Sequence, residues 1–150
     1  MITLDDRAFC LGSDDGRSLS IDPTTDVATP LEGAPALGSP VIAVDGLIWV
    51  VDYMSLRAFD PETGQIVADI KAPGSTVWSL DGVVLDGSLW ATTSSEHGAA
   101  DQLVRIDRQS MTIDCFLPTP TSELGMAVGF GSIWLPVIRQ PWLLRIEPEC

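Results

Sequence analysis

Apolar positions in this chain come in short runs of three to six, each bounded by turn residues. Val41-Ile42-Ala43-Val44 is followed by Asp45-Gly46, then by Leu47 to Val51, Leu56 to Phe59 and Gln65 to Ile70. In the last run the apolar side chains alternate at 66, 68 and 70, the period of a half-buried strand. Asp45-Gly46 tolerates the positive φ values of a two-residue hairpin turn. The segment therefore predicts four antiparallel strands joined by tight turns. No stretch of useful length carries the 3.6-residue period of a helix.

The same order recurs along the chain. Val83-Val84-Leu85, the Asp86-Gly87 turn, Leu89 to Thr92, Leu103 to Ile106 and Met111 to Leu117 repeat it. Ile2 to Leu4, Ala8 to Leu11, Leu19 to Ile21 and Val27 to Leu31 form an earlier, degenerate copy. Met126 to Val128, the turn Gly129-Phe130-Gly131, Ile133 to Val137 and Trp142 to Ile146 form a last one with only three strands. Two signatures mark each unit. Gly46-Leu47-Ile48-Trp49, Gly87-Ser88-Leu89-Trp90 and Gly131-Ser132-Ile133-Trp134 align with Asp6-Arg7-Ala8-Phe9, so the aromatics at 9, 49, 90 and 134 are 40, 41 and 44 residues apart. Further on, an apolar residue precedes an acid: Ile21-Asp22, Phe59-Asp60, Ile106-Asp107 and Ile146-Glu147. Asp22-Pro23, Asp60-Pro61 and Glu147-Pro148 suit the first two positions of a type I turn.

A period near 40 residues with four strands per repeat predicts an all-β fold of the β-propeller type. The units are expected at about 1–33, 40–72, 82–118 and 124–150, giving fifteen strands where four complete blades have sixteen. The large rings at Phe9, Trp49, Trp90 and Trp134 are expected to form blade core, filling the wedge between adjacent sheets. A last blade without its outer strand leaves an edge unpaired. The chain could close alone as a four-bladed ring, combine with a second chain into a ring of about eight blades, or form part of a longer chain. The expectation favoured here is a half-ring completed by a second copy through the terminal blades, because apolar flanks at both ends exceed what a soluble monomer exposes.

Composition narrows the partners. The chain has 150 residues, is 45% hydrophobic and carries a formal net charge of −13. Such a surface repels phosphate backbones and anionic lipid, so neither nucleic acid nor a membrane is an expected partner. A small molecule or a protein of unknown identity remains. No apolar run reaches the ~18 residues of a membrane helix. Met1-Ile2-Thr3-Leu4-Asp5-Asp6 is not a signal peptide, which places the protein in the cytoplasm or, if a signal has been removed, outside it. Absent asparagine and a single lysine against seven arginines fit a GC-rich bacterial genome. Cys10 and Cys115 fall on expected strands as small hydrophobes, whereas Cys150 is read as exposed, a reactive thiol or the link of a disulfide-bonded dimer.

The pattern apolar-x-x-Gly-x-apolar-Trp followed by apolar-Arg-apolar-Asp-Pro resembles the repeats of the streptogramin B lyase and YVTN/NHL-like propeller group. Val44 to Val50 with Arg57 to Pro61, and Val128 to Trp134 with Leu144 to Pro148, carry the resemblance. It implies the propeller fold over nearly the whole chain; activity varies across such repeats. Streptogramin B lyases open a cyclic ester by elimination, with histidine and glutamate bases and magnesium. Only Ser94-Ser95-Glu96-His97 supplies such groups here, and His97 is the sole histidine.

Two functions follow. The first is a non-enzymatic binding or scaffold propeller that self-associates to close its ring. Its ligand face would lie over the loops between second and third strands and those leading into each first strand. That gathers Asp14, Asp15, Arg17, Asp52, Tyr53, Glu96, His97, Arg139, Gln140 and Trp142, with Trp78 and Glu123 nearby. Trp78 and Trp142 stand outside the repeat, near strand ends or loops. The alternative is a lyase or hydrolase with Glu96 and His97 as acid and base. No cofactor is expected under the first reading, and magnesium under the second. Asp5-Asp6 with Asp14-Asp15 matches no calcium-loop spacing and reads as solvated turns, so no metal site is expected.

Overall fold

The computed structural model describes residues 1–12, 18–31, 39–52, 54–74, 76–95, 102–119, 125–137 and 140–150. They contain fifteen strands and no helix. The strands form three four-stranded antiparallel sheets and one of three strands, each in sequence order. The first sheet holds β1 (Ile2–Leu4), β2 (Arg7–Cys10), β3 (Leu19–Asp22) and β4 (Val27–Pro30). The second holds β5 (Ser39–Val44), β6 (Leu47–Asp52), β7 (Ser55–Asp60) and β8 (Gln65–Lys71). The third holds β9 (Thr76–Leu85), β10 (Ser88–Ser95), β11 (Gln102–Asp107) and β12 (Thr112–Pro118). The last holds β13 (Ala127–Gly129), β14 (Ser132–Pro136) and β15 (Leu143–Ile146). Among the described residues β15 pairs only with β14, so its outer edge is unpaired.

Turn chemistry sets the register. Asp45 and Gly46, Asp86 and Gly87, and Phe130 and Gly131 all have positive φ, as a type I′ hairpin requires. The third-to-fourth-strand turns share another device. The carboxylates of Asp22, Asp60 and Asp107 accept the N–H of the residue two further on, Thr24, Glu62 and Gln109, each at 2.8 Å. Four residues after each of these acids the chain turns left-handed, at Asp26, Gly64 and Met111 (φ 56°, 73° and 54°).

The chain divides into two compact units, Met1–Lys71 and Ala72–Cys150. In the first, Phe9 is buried with Ile48, Val50 and Phe59, and Ile2, Leu4 and Leu11 close around them. Side chains alternate along a strand, so Ile48 and Val50 flank Trp49 but face the opposite way, toward Phe9. The second unit repeats the arrangement. Trp90, Leu103, Leu85 and Cys115 pack on Ile133 and Leu135, the residues that flank Trp134. The ring of one sheet thus seats on the two residues beside the ring of the next. Trp49 is also buried, and Trp134 is half-buried.

Two expectations change. β9 begins at Thr76, well before Val83, and β10 runs on to Ser95. Trp78 therefore lies on β9, two residues from its first residue, opposite Thr93, and is buried. Thr76 and Val77 on β9 and Thr92 and Thr93 on β10 are β-branched and suit the added pairing. Cys150 is neither a free thiol nor a link between chains. It is bonded to Cys115 of β12 within the second unit, with Cα atoms 6.0 Å apart, inside the range a disulfide spans. Cys10 is the free cysteine and is half-buried.

Candidate functional site

Loop residues of the expected ligand face are described only in part. Asp14, Asp15, Arg17, Tyr53, Glu96, His97, Glu123 and Arg139 lie outside the described residues. Asp52 is the last residue of β6, paired with Ser55 across the turn into β7. Gln140 and Trp142 are brought together between β14 and β15. The Trp142 indole N–H donates to Gln140 Oε1 at 2.8 Å, and backbone bonds from Gln140 to Val137 and from Val137 to Trp142 tighten the turn. Trp142 is 66% exposed, held in place by its neighbours and open on its outer face.

Beside the β6–β7 turn lies a polar ladder that the sequence did not single out. The ammonium of Lys71, the only lysine, donates to Ser55 Oγ at 2.7 Å and pairs with Asp69 at 3.1 Å. Asp69 also meets Arg57 at 3.4 Å. A serine beside a lysine suggests a nucleophile and its base, but the base must be a neutral, desolvated amine. Lys71 is largely exposed and ion-paired, so it is a donor to Ser55 and a cross-strand tie between β7 and β8.

The strand-one-to-two and strand-three-to-four turns of the first unit surround a groove of about 490 Å3. Asp5, Asp6, Asp45, Asp60 and Glu62 rim it together with one cation, Arg7, over an apolar floor of Leu4, Phe9 and Leu47. A second depression of about 390 Å3 shares Arg7 and is lined by Asp22, Thr25, Val27 and Leu31. Asp5 and Asp6 therefore belong with acids from other hairpins. The signal was present: the first two repeats put acids at equivalent turns, and in the first unit the turns at Asp5-Asp6, Asp45 and Asp60 come out on one side. Among the described residues no group of three His, Cys, Asp or Glu side chains is placed to hold a metal ion.

Fixed hydrogen bonds lower the pKa of several carboxyls. The Thr63 hydroxyl, the Glu62 N–H and the Thr63 N–H hold Asp60 below the ordinary carboxylate range. The Thr24 hydroxyl and N–H do the same for Asp22, and the Ser110 and Gln109 N–H groups for Asp107. For Asp69, partial desolvation pushes upward, and bonds from Lys71 and Ser55 with the charges of Lys71 and Arg57 outweigh it. In the second unit Arg105 grips Asp114 through two bonds of 2.8 and 2.9 Å while lying 5.9 Å over the Trp90 ring. That grip raises the Arg105 pKa further. Arg145 repeats the pose 5.7 Å over Trp134, bonded to Ser132 Oγ at 2.9 Å and Glu147 at 2.7 Å.

No protein-family model matches the chain, and no curated protein matches it in sequence. Solved structures do match in shape. A europium-containing methanol dehydrogenase superposes with a TM-score of 0.61 and 10% identity, over 80% of this chain and 24% of that one. The dihydro-heme d1 dehydrogenase NirN, in complex with DHE, superposes with a TM-score of 0.56 and 16% identity, over 89% of this chain and 34% of that one. The chain thus spans only about a quarter of one neighbour and about a third of the other. At such identity the likeness is one of architecture. With four successive antiparallel sheets and aromatic rings seated between neighbours, it shows that the chain has the β-propeller fold.

Proposed function

We propose that this chain is a non-enzymatic binding or scaffold propeller that self-associates through its terminal blades. The observation that carries the reading is the use made of its charged side chains. Asp22, Asp60 and Asp107 anchor turns, while Asp69 and Asp114 tie strands together through Arg57, Lys71 and Arg105. A general acid or base for work near neutral pH needs a carboxyl raised toward that range. Among the described residues, Asp22, Asp60, Asp69 and Asp107 are displaced the other way. The exposed Trp142, fixed by Gln140, is the kind of rigid aromatic anchor that binding surfaces use.

The neighbours are named as dehydrogenases, but those names belong to chains of which this one matches 24% and 34%. The disulfide supports an exported protein over a cytoplasmic one, since such bonds persist in oxidising compartments. The competing lyase reading rests on Glu96 and His97. Ring opening of a cyclic depsipeptide lactone, with and without Mg2+, separates the two. The expected result is no turnover above background. Ring opening that His97→Ala abolishes would establish the lyase.

A further inference from the structure

Within the second unit the last sheet is the slighter of the two. β13, β14 and β15 have 3, 5 and 4 residues, whereas β9, β10, β11 and β12 have 10, 8, 6 and 7. Among its described residues the buried apolar side chains are Ile133 and Leu135, while Val128, Phe130, Trp142 and Leu143 are exposed. A sheet this small draws its stability from what it packs against.

Its described contacts with the third sheet fall at three places. At the centre Ile133 and Leu135 pack with Trp90, Leu103 and Cys115, and Leu144 and Ile146 lie against them. At the first strands the Gly125 N–H, just before β13, donates to Asp81 Oδ2 on β9 at 2.7 Å. That bond is exposed, so water competes for both partners. At the last strands Cys150, beyond the end of β15, is bonded to Cys115 on β12. Cys115 pairs with Arg105, and Arg105 with Trp90, so Cys115 stands on the face that Ile133 and Leu135 cover. The disulfide is the one covalent tie of the three.

We infer that the Cys115–Cys150 bond is a reduction-sensitive latch: a dithiol reductant opens it and frees the last sheet from the third, while the first unit stays folded. Cys150 is exposed and Cys115 is buried, so an incoming thiolate reaches Cys150 Sγ. Its attack forms a mixed disulfide at Cys150. Cys115 Sγ leaves with the bonding electron pair and takes a proton from water. The second thiol of the reductant then displaces Cys150, which also leaves as a thiolate and is protonated. The dithiol is oxidised to a cyclic disulfide, and two electrons pass to the protein. With the latch open, two buried side chains and one exposed hydrogen bond are left to seat the sheet. A segment with so few buried contacts opens locally at low cost. Opening uncovers the Trp90 face of the third sheet.

Amide hydrogen exchange of the full chain, oxidised and after dithiothreitol, tests this. Alkylation under denaturing conditions reports the state of the bond: Cys10 alone should be labelled in the oxidised chain, and Cys10, Cys115 and Cys150 in the reduced one. The expected result is a loss of protection in β14 and β15 of about tenfold or more, with β6 and β7 unchanged. Cys150→Ser should reproduce that pattern with no reductant present. A bond that dithiothreitol leaves intact in the folded chain overturns the inference. So does unchanged exchange in β14 and β15 after reduction, or a loss in β6 and β7 equal to theirs, which would make the bond a general stabiliser and no latch.

Discussion

At the scale of single residues, the repeat is held by a small set of polar and backbone devices. The turn after each third strand needs a carboxylate at its start and a left-handed residue four positions later. Gly64 meets the second need without strain, but Met111 has a Cβ that crowds the next carbonyl. Met111→Gly should therefore stabilise the protein by about 0.5–1 kcal/mol, after the greater entropy of glycine in the unfolded chain is deducted. A lower urea midpoint for the variant would refute the argument. Acid titration follows from the first need. A carboxyl whose folded pKa is depressed stabilises the fold in full above its unfolded value, and that stabilisation fades as pH falls through the folded value. Asp22, Asp60 and Asp107 all start from an ordinary value of 3.8. Their contribution should be constant well above 3.8 and fade as pH falls below it. Protonation of other carboxyls also relieves the repulsion of a −13 chain, which acts in the opposite direction. The difference in denaturation midpoint between the native chain and one with all three aspartates changed to asparagine isolates the turn acids. That difference should shrink as pH falls, and a constant difference from pH 7 to pH 3 would refute it. The acid-first turns were readable from Asp22-Pro23 and Asp60-Pro61. The left-handed position was less legible: Asp26 and Gly64 suit it, but methionine at 111 gives no local warning of it.

Among the elements, hairpins were legible because their turn residues are specific and their strands alternate. Asp45-Gly46 and Asp86-Gly87 marked two hairpins directly, and their backbone angles agree. Strand length was less legible. Thr76 to Gly82 joins β9 only because Ser94, Thr93 and Ala91 on β10 pair with it, a contact between segments that local propensity does not report. For the same reason no local pattern shows that Trp78 is paired and buried. The disulfide belongs to this scale too. It ties the segment after β15 to the outer strand of the third sheet across a separation of 35 residues. Loop-closure entropy for that separation gives about 3–4 kcal/mol of stabilisation, less any residual order in the reduced chain. Reduction, or Cys150→Ser, should lower the denaturation midpoint by a matching amount. Equal midpoints for oxidised and reduced protein would show that the bond contributes nothing.

For the whole molecule, a repeated unit is a strong constraint on fold and a weak one on chemistry. The period of 40 to 44 residues is a covalent fact, and with the turn signals it predicts the fifteen strands found among the described residues and the propeller architecture. Sequence by itself determined which residues turn, which alternate and which rings recur, because turn chemistry and the period-two pleat act over a few residues. Only the tertiary structure decided that Phe9 and Trp90 rest on the flanks of the next ring, that Cys115 meets Cys150, and that acids from three hairpins of the first unit rim one groove. It also decided that Leu143 is exposed where Leu103 is covered. These are contacts between segments tens of residues apart, and they depend on sheet twist and packing depth, which no local pattern encodes.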